Sequence, residues 1–231
     1  LSQPIDGVWH NWTWEEVGKE VRKMAAYLKS LDFPENTKIG LLSKNCAHWI
    51  MTDFAIMMAG HTSVPLYPNL SADTLNKILL HSETKVLFVG KLDNFEAMQP
   101  GIPADMPCIT YPFYSEDYPK WDDLTKDVSP LTDNVIREEM ELATIIYTSG
   151  TTGDPKGVMH KFYNFSFATV NAVEALSLKE ESFFSYLPLC HIAERLLVMM
   201  GSLYTGGKVS FAESLDTFAA SLSEASPSVF L

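Results

Sequence analysis

The order in which two hydrophobic periods follow one another constrains the fold of this chain most. Short apolar runs, "TKIGLLS", "SVPLYP", "TKVLFVG", "LATIIYTS", "SFFSYLPL" and "KVSFAE", are separated mostly by longer segments with apolar residues every three or four positions. A strand followed by a helix-length crossover re-enters its sheet in the same direction. The order therefore predicts an α/β fold with a layered, mostly parallel β-sheet and helices on both faces. The clearest helix is "TWEEVGKEVRKMAAYLKSL". Thr13 and Glu16 have capping-box spacing, and Val17, Val21, Met24, Leu28 and Leu31 share one face. Further helices are predicted in "CAHWIMTDFAIMMAG", "SADTLNKILLHSE", "LDNFEAMQ", "NFSFATVNAVEAL", "HIAERLLVMMGSLYTGG" and "SLDTFAASLSEA". The Pro-, Asp- and Tyr-rich stretch from 100 to 135 reads as irregular loop around a brief strand, "PCITY", with Asp122 and Asp123 as solvated loop residues.

Charge and composition narrow the function classes. A net charge of −12 argues against broad nucleic-acid binding, which needs a basic surface, but leaves room for a local anion pocket. Cys46, Cys108 and Cys190 form no CxxC pair or metal-ligand spacing, which suits a reducing compartment and small buried side chains. The start, "LSQPIDGVWH", has neither the basic residues nor the apolar core of a signal peptide. It also lacks Met, which suggests trimming. "WIMTDFAIMMAGHTSVPL" is interrupted by Asp53 and His61 and is too short to span a bilayer, so a soluble, cytoplasmic protein is expected. The closing "PSVFL" reads as the opening of another buried strand, so the chain is expected to be truncated there.

One loop carries chemistry. In "YTSGTTGDPKG", Gly150, Gly153 and Gly157 let backbone N–H groups approach an anion, and Thr148, Ser149, Thr151 and Thr152 add short hydroxyl donors. Lys156 adds a point charge suited to phosphate. A Walker loop, G-x-x-x-x-G-K-[ST], does not fit. Counting from Gly150, its second glycine falls on Pro155, and the Ser/Thr after the lysine is Gly157. "KGVMH" continues as a strand, whereas a Walker loop opens a helix. The residues thus indicate a nucleotide-phosphate cradle at the tip of a hairpin, with a plain Gly/Thr-rich turn as the alternative.

"YTSGTTGDPKGV" resembles the signature loop of the adenylate-forming superfamily, which includes acyl-CoA synthetases, luciferases and nonribosomal-peptide adenylation domains. "NCAHWIMTDFAIMMAGHTSVPLYPNLSADTL" is similar to the family's early helix and following strand. "YLPLCHIAERL" resembles its next motif in the form found in long-chain fatty acyl-CoA synthetases. The resemblance covers nearly the whole chain and implies an incomplete amino-terminal domain of the acyl-CoA synthetase-like fold. It also implies a two-step reaction. A fatty carboxylate attacks the α-phosphate of ATP to give acyl-adenylate and pyrophosphate, and coenzyme A then displaces AMP. The carboxylate is already ionised at neutral pH, so positioning and neutralisation of phosphate charge should carry the first step.

Carried onto this sequence, Thr148, Ser149, Gly150, Thr151, Thr152, Gly153 and Lys156 would wrap the β- and γ-phosphates. Thr151 is the candidate hydroxyl near Mg²⁺. His191 would lie beside the substrate carboxylate and adenylate as a hydrogen-bond donor, while Glu194 and Arg195 suit a helix-start ion pair as well as ligand contact. Tyr186 and Leu187 read as core strand residues. Met57, Met58, Met199 and Met200 suit core packing, with an acyl tunnel as the alternative. Trp9, Trp12 and Trp14 suit packing of the amino-terminal segment, with peripheral membrane contact as the alternative, and a homodimer is admitted. His10, His48, His61, His81 and His160 have no metal spacing.

The family's later motifs, Tyr-Gly-x-Thr-Glu, Thr-Gly-Asp and the terminal catalytic lysine, have no counterpart here, so the 231-residue chain alone is expected to show no ligase turnover. The rival readings are an aryl- or medium-chain-CoA ligase, a fatty acyl-AMP ligase, and a noncatalytic nucleotide-phosphate-binding module.

Overall fold

The structure, a computed structural model, describes residues 1–114, 117–148 and 155–230. In chain order the elements are β1 (Ser2–Ile5), β2 (Val8–Asn11), α1 (Trp14–Ser30), β3 (Lys38–Leu42), α2 (Ala47–Met58), β4 (Thr62–Leu66), α3 (Ala72–His81) and β5 (Val86–Val89). Next come α4 (Phe95–Met98), a 3₁₀ turn at Gln99–Gly101, β6 (Cys108–Thr110), α5 (Trp121–Thr125), β7 (Leu142–Thr148), β8 (Lys156–Lys161) and α6 (Phe162–Ala175). The last are β9 (Ser182–Ser185), α7 (Ile192–Glu194), a π-helical turn at Arg195–Met200, α8 (Gly201–Thr205), β10 (Lys208–Phe211) and α9 (Phe218–Ala225).

Among the described residues the strands form two sheets, where the sequence pattern suggested one. The six-stranded sheet runs β6-β5-β3-β4-β7-β8 and is parallel except for β8. The four-stranded sheet runs β2-β1-β10-β9, with β10 parallel to both its neighbours and β2 antiparallel to β1. The β1–β2 hairpin was not anticipated. Its turn is Asp6-Gly7, both with positive φ (50° and 74°), the backbone that a two-residue hairpin loop requires.

Alternation along the strands splits the core in two. Ile39, Leu41, Val86 and Phe88 face α1 and α2, which also cover Phe183, Val209 and Phe211 of the smaller sheet. Leu42, Leu87 and Val89 point to the opposite face, where Leu75, Ile78 and Leu79 of α3 close over them. Helix α2 lies between the sheets and is buried from Ala47 through Asp53, as expected of a helix apolar on nearly every side. Helix α1 keeps a polar outer face and buries Val17, Val21, Met24, Ala25 and Leu28. Its capping box forms as predicted, with Thr13 N–H donating to Glu16 Oε2 at 2.8 Å and Glu16 N–H to Thr13 Oγ1 at 3.2 Å.

Several local expectations change. The stretch from 100 to 135 contains α5, so Asp122 and Asp123 lie in the first turn of a helix; buried Trp121 anchors that turn against α1. Strand β9 ends at Ser185, and Tyr186 and Leu187 are exposed in the following loop instead of lying in the core. Met199 is core, whereas Met57, Met58 and Met200 line an apolar cavity of about 370 Å³ with Phe54, Phe165 and Leu203. The tryptophans are packed. Trp9 Nε1 donates to Glu224 at 2.6 Å, Trp14 Nε1 to the Gly207 carbonyl at 3.0 Å, and Trp12 meets His48 edge-on. All three cysteines are buried and free. Among the described residues no helix is long and apolar enough to cross a membrane.

Candidate active site

Strands β7 and β8 form the antiparallel hairpin expected of the glycine- and threonine-rich segment, with Thr148 paired to Lys156 at the end next to the connecting loop. Ser149, Gly150, Thr151, Thr152 and Gly153 lie outside the described residues. The base of the hairpin is tightly built. A Cβ on Gly157 would meet Ile145 Cγ2 at 2.8 Å and Tyr147 Cζ at 3.2 Å. The Tyr147 hydroxyl is in turn hydrogen-bonded to His81 Nδ1, at the end of α3, at 2.6 Å. Gly157→Ala is therefore expected to destabilise the chain by about 1–3 kcal/mol through overpacking. Urea unfolding of the purified variant measures this, and an unchanged midpoint would show that the hairpin base yields freely.

A cavity of about 550 Å³ opens at the carboxyl ends of β4 and β7, lined by Tyr67, Asn69, Thr74, Tyr147, Thr148 and His191 among others. The carboxyl ends of parallel strands are where α/β sheets place their ligands, because the loops leaving them diverge there. The structure thus brings Thr148 and His191, 43 positions apart in sequence, to one cavity. Lys156 stands across the ladder from Thr148, exposed and outside that lining.

His191 is the N-cap of α7, and its Nδ1 accepts the Ala193 N–H at 3.3 Å. With Nδ1 occupied as an acceptor, the neutral ring carries its proton on Nε2 and presents a donor. The loop before it is held by Asn45. Its Nδ2 donates to Ser185 Oγ at 2.9 Å and the Leu187 carbonyl at 2.6 Å, and its Oδ1 accepts from Leu189 N–H at 2.9 Å. Cys190, beside His191, has its thiol pushed up to about 12, chiefly by burial, and is no nucleophile at neutral pH.

Glu194 and Arg195 do not pair with each other. The Glu194 carboxyl is buried, accepts from Ser185 Oγ at 2.8 Å and leaves Oε2 without a partner; desolvation raises its pKa to about 7. Arg195 is completely buried and grips Asp53 of α2, Nε to Oδ2 at 3.0 Å and Nη2 to both oxygens at 2.5 and 2.7 Å. Its Nη1 donates to Thr144 Oγ1 of β7 at 2.8 Å, and the guanidinium lies over the rings of Trp49 and Phe165, 5.7 and 5.0 Å from their centroids. Sequence reasoning missed Asp53 as a partner and Tyr67, Asn69 and Thr74 as cavity walls. A carboxylate inside the most apolar segment was the available signal, since such a group needs a buried cation.

The profile of the AMP-binding enzyme family matches residues 3–230. The chain belongs to the AMP-binding enzyme family. Within the AMP-binding enzymes it is 29% identical over 225 residues to the long-chain-fatty-acid–CoA ligase heimdall of Drosophila melanogaster, covering 89% of this chain and 33% of the relative. It is 32% identical over 220 residues to long chain acyl-CoA synthetase 4 of Arabidopsis thaliana, covering 85% of this chain and 32% of the relative. The chain thus spans about a third of the length of these curated AMP-binding relatives. Its fold is similar to that of the o-succinylbenzoate–CoA synthetase of Bacillus subtilis solved with ATP and a magnesium ion. That likeness has a TM-score of 0.78 at 20% identity and covers 99% of this chain and 58% of that one.

Proposed function

We propose that the chain forms part of a ligase that activates a long-chain fatty acid with ATP, as acyl-adenylate and then as coenzyme A thioester. The observation that carries this reading is the single cavity shared by Thr148, which opens the signature loop, and His191, which opens the next motif. Its volume of about 550 Å³ suits a small-molecule site. The relatives with long-chain specificity support the fatty acid, and the likeness to a synthetase for an aromatic acid keeps aryl acids in the test.

In this mechanism the Thr148 hydroxyl and the Lys156 ammonium bind phosphate oxygens from opposite strands of the hairpin, with residues 149–153 completing the cradle. The His191 Nε2–H donates to an oxygen of the reacting carboxylate or adenylate, stabilising charge without removing a proton. Magnesium would neutralise phosphate charge. Thr151 is the candidate hydroxyl that would lie near the ion, which usually keeps several waters and is shared with substrate phosphates. The thiol of coenzyme A would then displace AMP, a step to which none of the described residues is assigned. A cytoplasmic location belongs to the same proposal.

The test is carboxylate-dependent exchange of labelled pyrophosphate into ATP by the whole protein, across acids of graded length and benzoate. The highest kcat/KM is expected with long-chain acids, and His191→Ala is expected to lower kcat about 10²-fold. Exchange restricted to aryl acids would overturn the fatty-acid reading. No exchange with any acid would overturn adenylation itself.

A further inference from the structure

Behind the cavity, one side chain joins the two elements that form its facing walls. His191 caps the short helix α7, and Arg195 opens the π-helical turn four residues later, one helical turn away. Thr148 ends β7, and Thr144 lies four residues earlier on that strand, about 13 Å along it. The Arg195 guanidinium bonds Thr144 Oγ1 at 2.8 Å, and Thr144 Oγ1 donates onward to the Ser63 carbonyl of β4 at 2.8 Å. The same guanidinium is held by both carboxylate oxygens of Asp53 on α2. Strand β4 leads into the Tyr67–Asn69 wall of the cavity, so three sides of the site are referred to one fully buried cation.

The alternative is a core ion pair that only holds the fold together. Two observations go beyond it. A fully buried guanidinium needs partners for all its arms, and here the partner of the third arm lies on the strand that carries the phosphate loop. The helix also leaves α-geometry at Arg195, and π-helical turns are frequent at functional sites. We propose that Arg195 is a positioning residue that sets the separation of His191 from Thr148, using Asp53 and Thr144 as its two fixed points. It touches neither nucleotide nor acid. It acts through the α7 turn on one side and β7 on the other, and its effect on catalysis rests on the adenylation reading above.

The experiment separates position from stability. Nitroxide labels at Ala193 and Lys156, both exposed, report the separation by pulsed dipolar spectroscopy on the chain itself. The paired variant Asp53→Leu/Arg195→Met removes charge and fork together, an exchange that buried ion pairs often tolerate without loss of stability. It is expected to keep its unfolding midpoint while the distance distribution widens by about two-fold, because a released turn has more than one way to pack. Arg195→Lys keeps the charge but not the fork, and is expected to widen the distribution likewise. It serves if the paired variant does not fold. An unchanged distribution in a folded variant overturns the proposal. In the unlabelled whole protein, Arg195→Lys is expected to lower kcat for pyrophosphate exchange about 10²-fold with little change in the KM for ATP. A widened distribution with wild-type exchange overturns the link to catalysis. A wild-type protein that shows no exchange with any acid overturns the adenylation reading and leaves the distance result standing.

Discussion

Asp53→Ala is expected to destabilise the chain by about 3–5 kcal/mol, measured as the loss in urea unfolding free energy at neutral pH. The pair is not worth that much in itself, since most of its Coulomb attraction is cancelled by desolvation of two charges. The loss arises because the substitution leaves the Arg195 guanidinium, completely buried, with the Thr144 hydroxyl and two aromatic faces as its remaining partners among the described residues. The two rings over the guanidinium offset a part, about 0.5–2 kcal/mol each. They cannot supply the two acceptor oxygens that Asp53 now presents. An Asp53→Ala loss below about 1 kcal/mol, the range of an exposed pair, would mean that water reaches the guanidinium.

A second large effect is expected with pH. The Glu194 carboxyl keeps its proton to about pH 7 in the folded chain, against an ordinary value of 4.5. Between those two values the folded chain binds more protons than the unfolded one, so stability falls as pH rises. It is fully present below pH 4.5 and lost by about pH 7. A displacement of this size corresponds to about 3 kcal/mol. The cause is burial, opposed by the Ser185 hydroxyl and by the backbone at Tyr186. Other groups titrate nearby with the opposite sign. His48 is pushed down to about 4 by burial among Trp12, Tyr111 and Trp121, and disfavours folding as pH falls below its ordinary value. The measurement is therefore the difference between the unfolding free energies of the parent and of Glu194→Gln from pH 4 to 8. A falling difference curve is expected. A flat one would show that the carboxyl reaches water or a partner at Oε2.

The fold was legible wherever period alone decides structure. The short unbroken apolar run in "TKVLFVG" fits a strand buried on both faces, and the three-and-four spacing of "EEVGKEVRKMAAYL" fits a helix with one apolar face. Sheet membership was not legible. Strands β9 and β10 read like β3 and β5, and what separates them is pairing with a hairpin near residue 1. The Asp6-Gly7 turn of that hairpin was in plain view, but the two flanking strands are four residues each and carry no sustained alternation. Tyr186 and Leu187 were misplaced because an apolar pair following a strand looks like its continuation. Pro188 and the Asn45 bonds end it instead.

At the site, Thr148 and His191 were found from local motifs, while Asp53 and Tyr67 come from segments whose own patterns are those of an ordinary buried helix and strand. Their roles exist only once the chain has folded over them.

The pairing of Ser2 with Ser210 has a consequence for how the protein is made. At synthesis rates of 5–20 residues per second, roughly 10–40 s separate the emergence of these two strands from the ribosome. During that interval the six-stranded sheet can assemble, but the flank of α2 that will face Phe183, Val209 and Phe211 has nothing to rest against. A nascent chain of this protein therefore carries an uncovered apolar helix until residues 183–211 have emerged, a natural client for a holding chaperone.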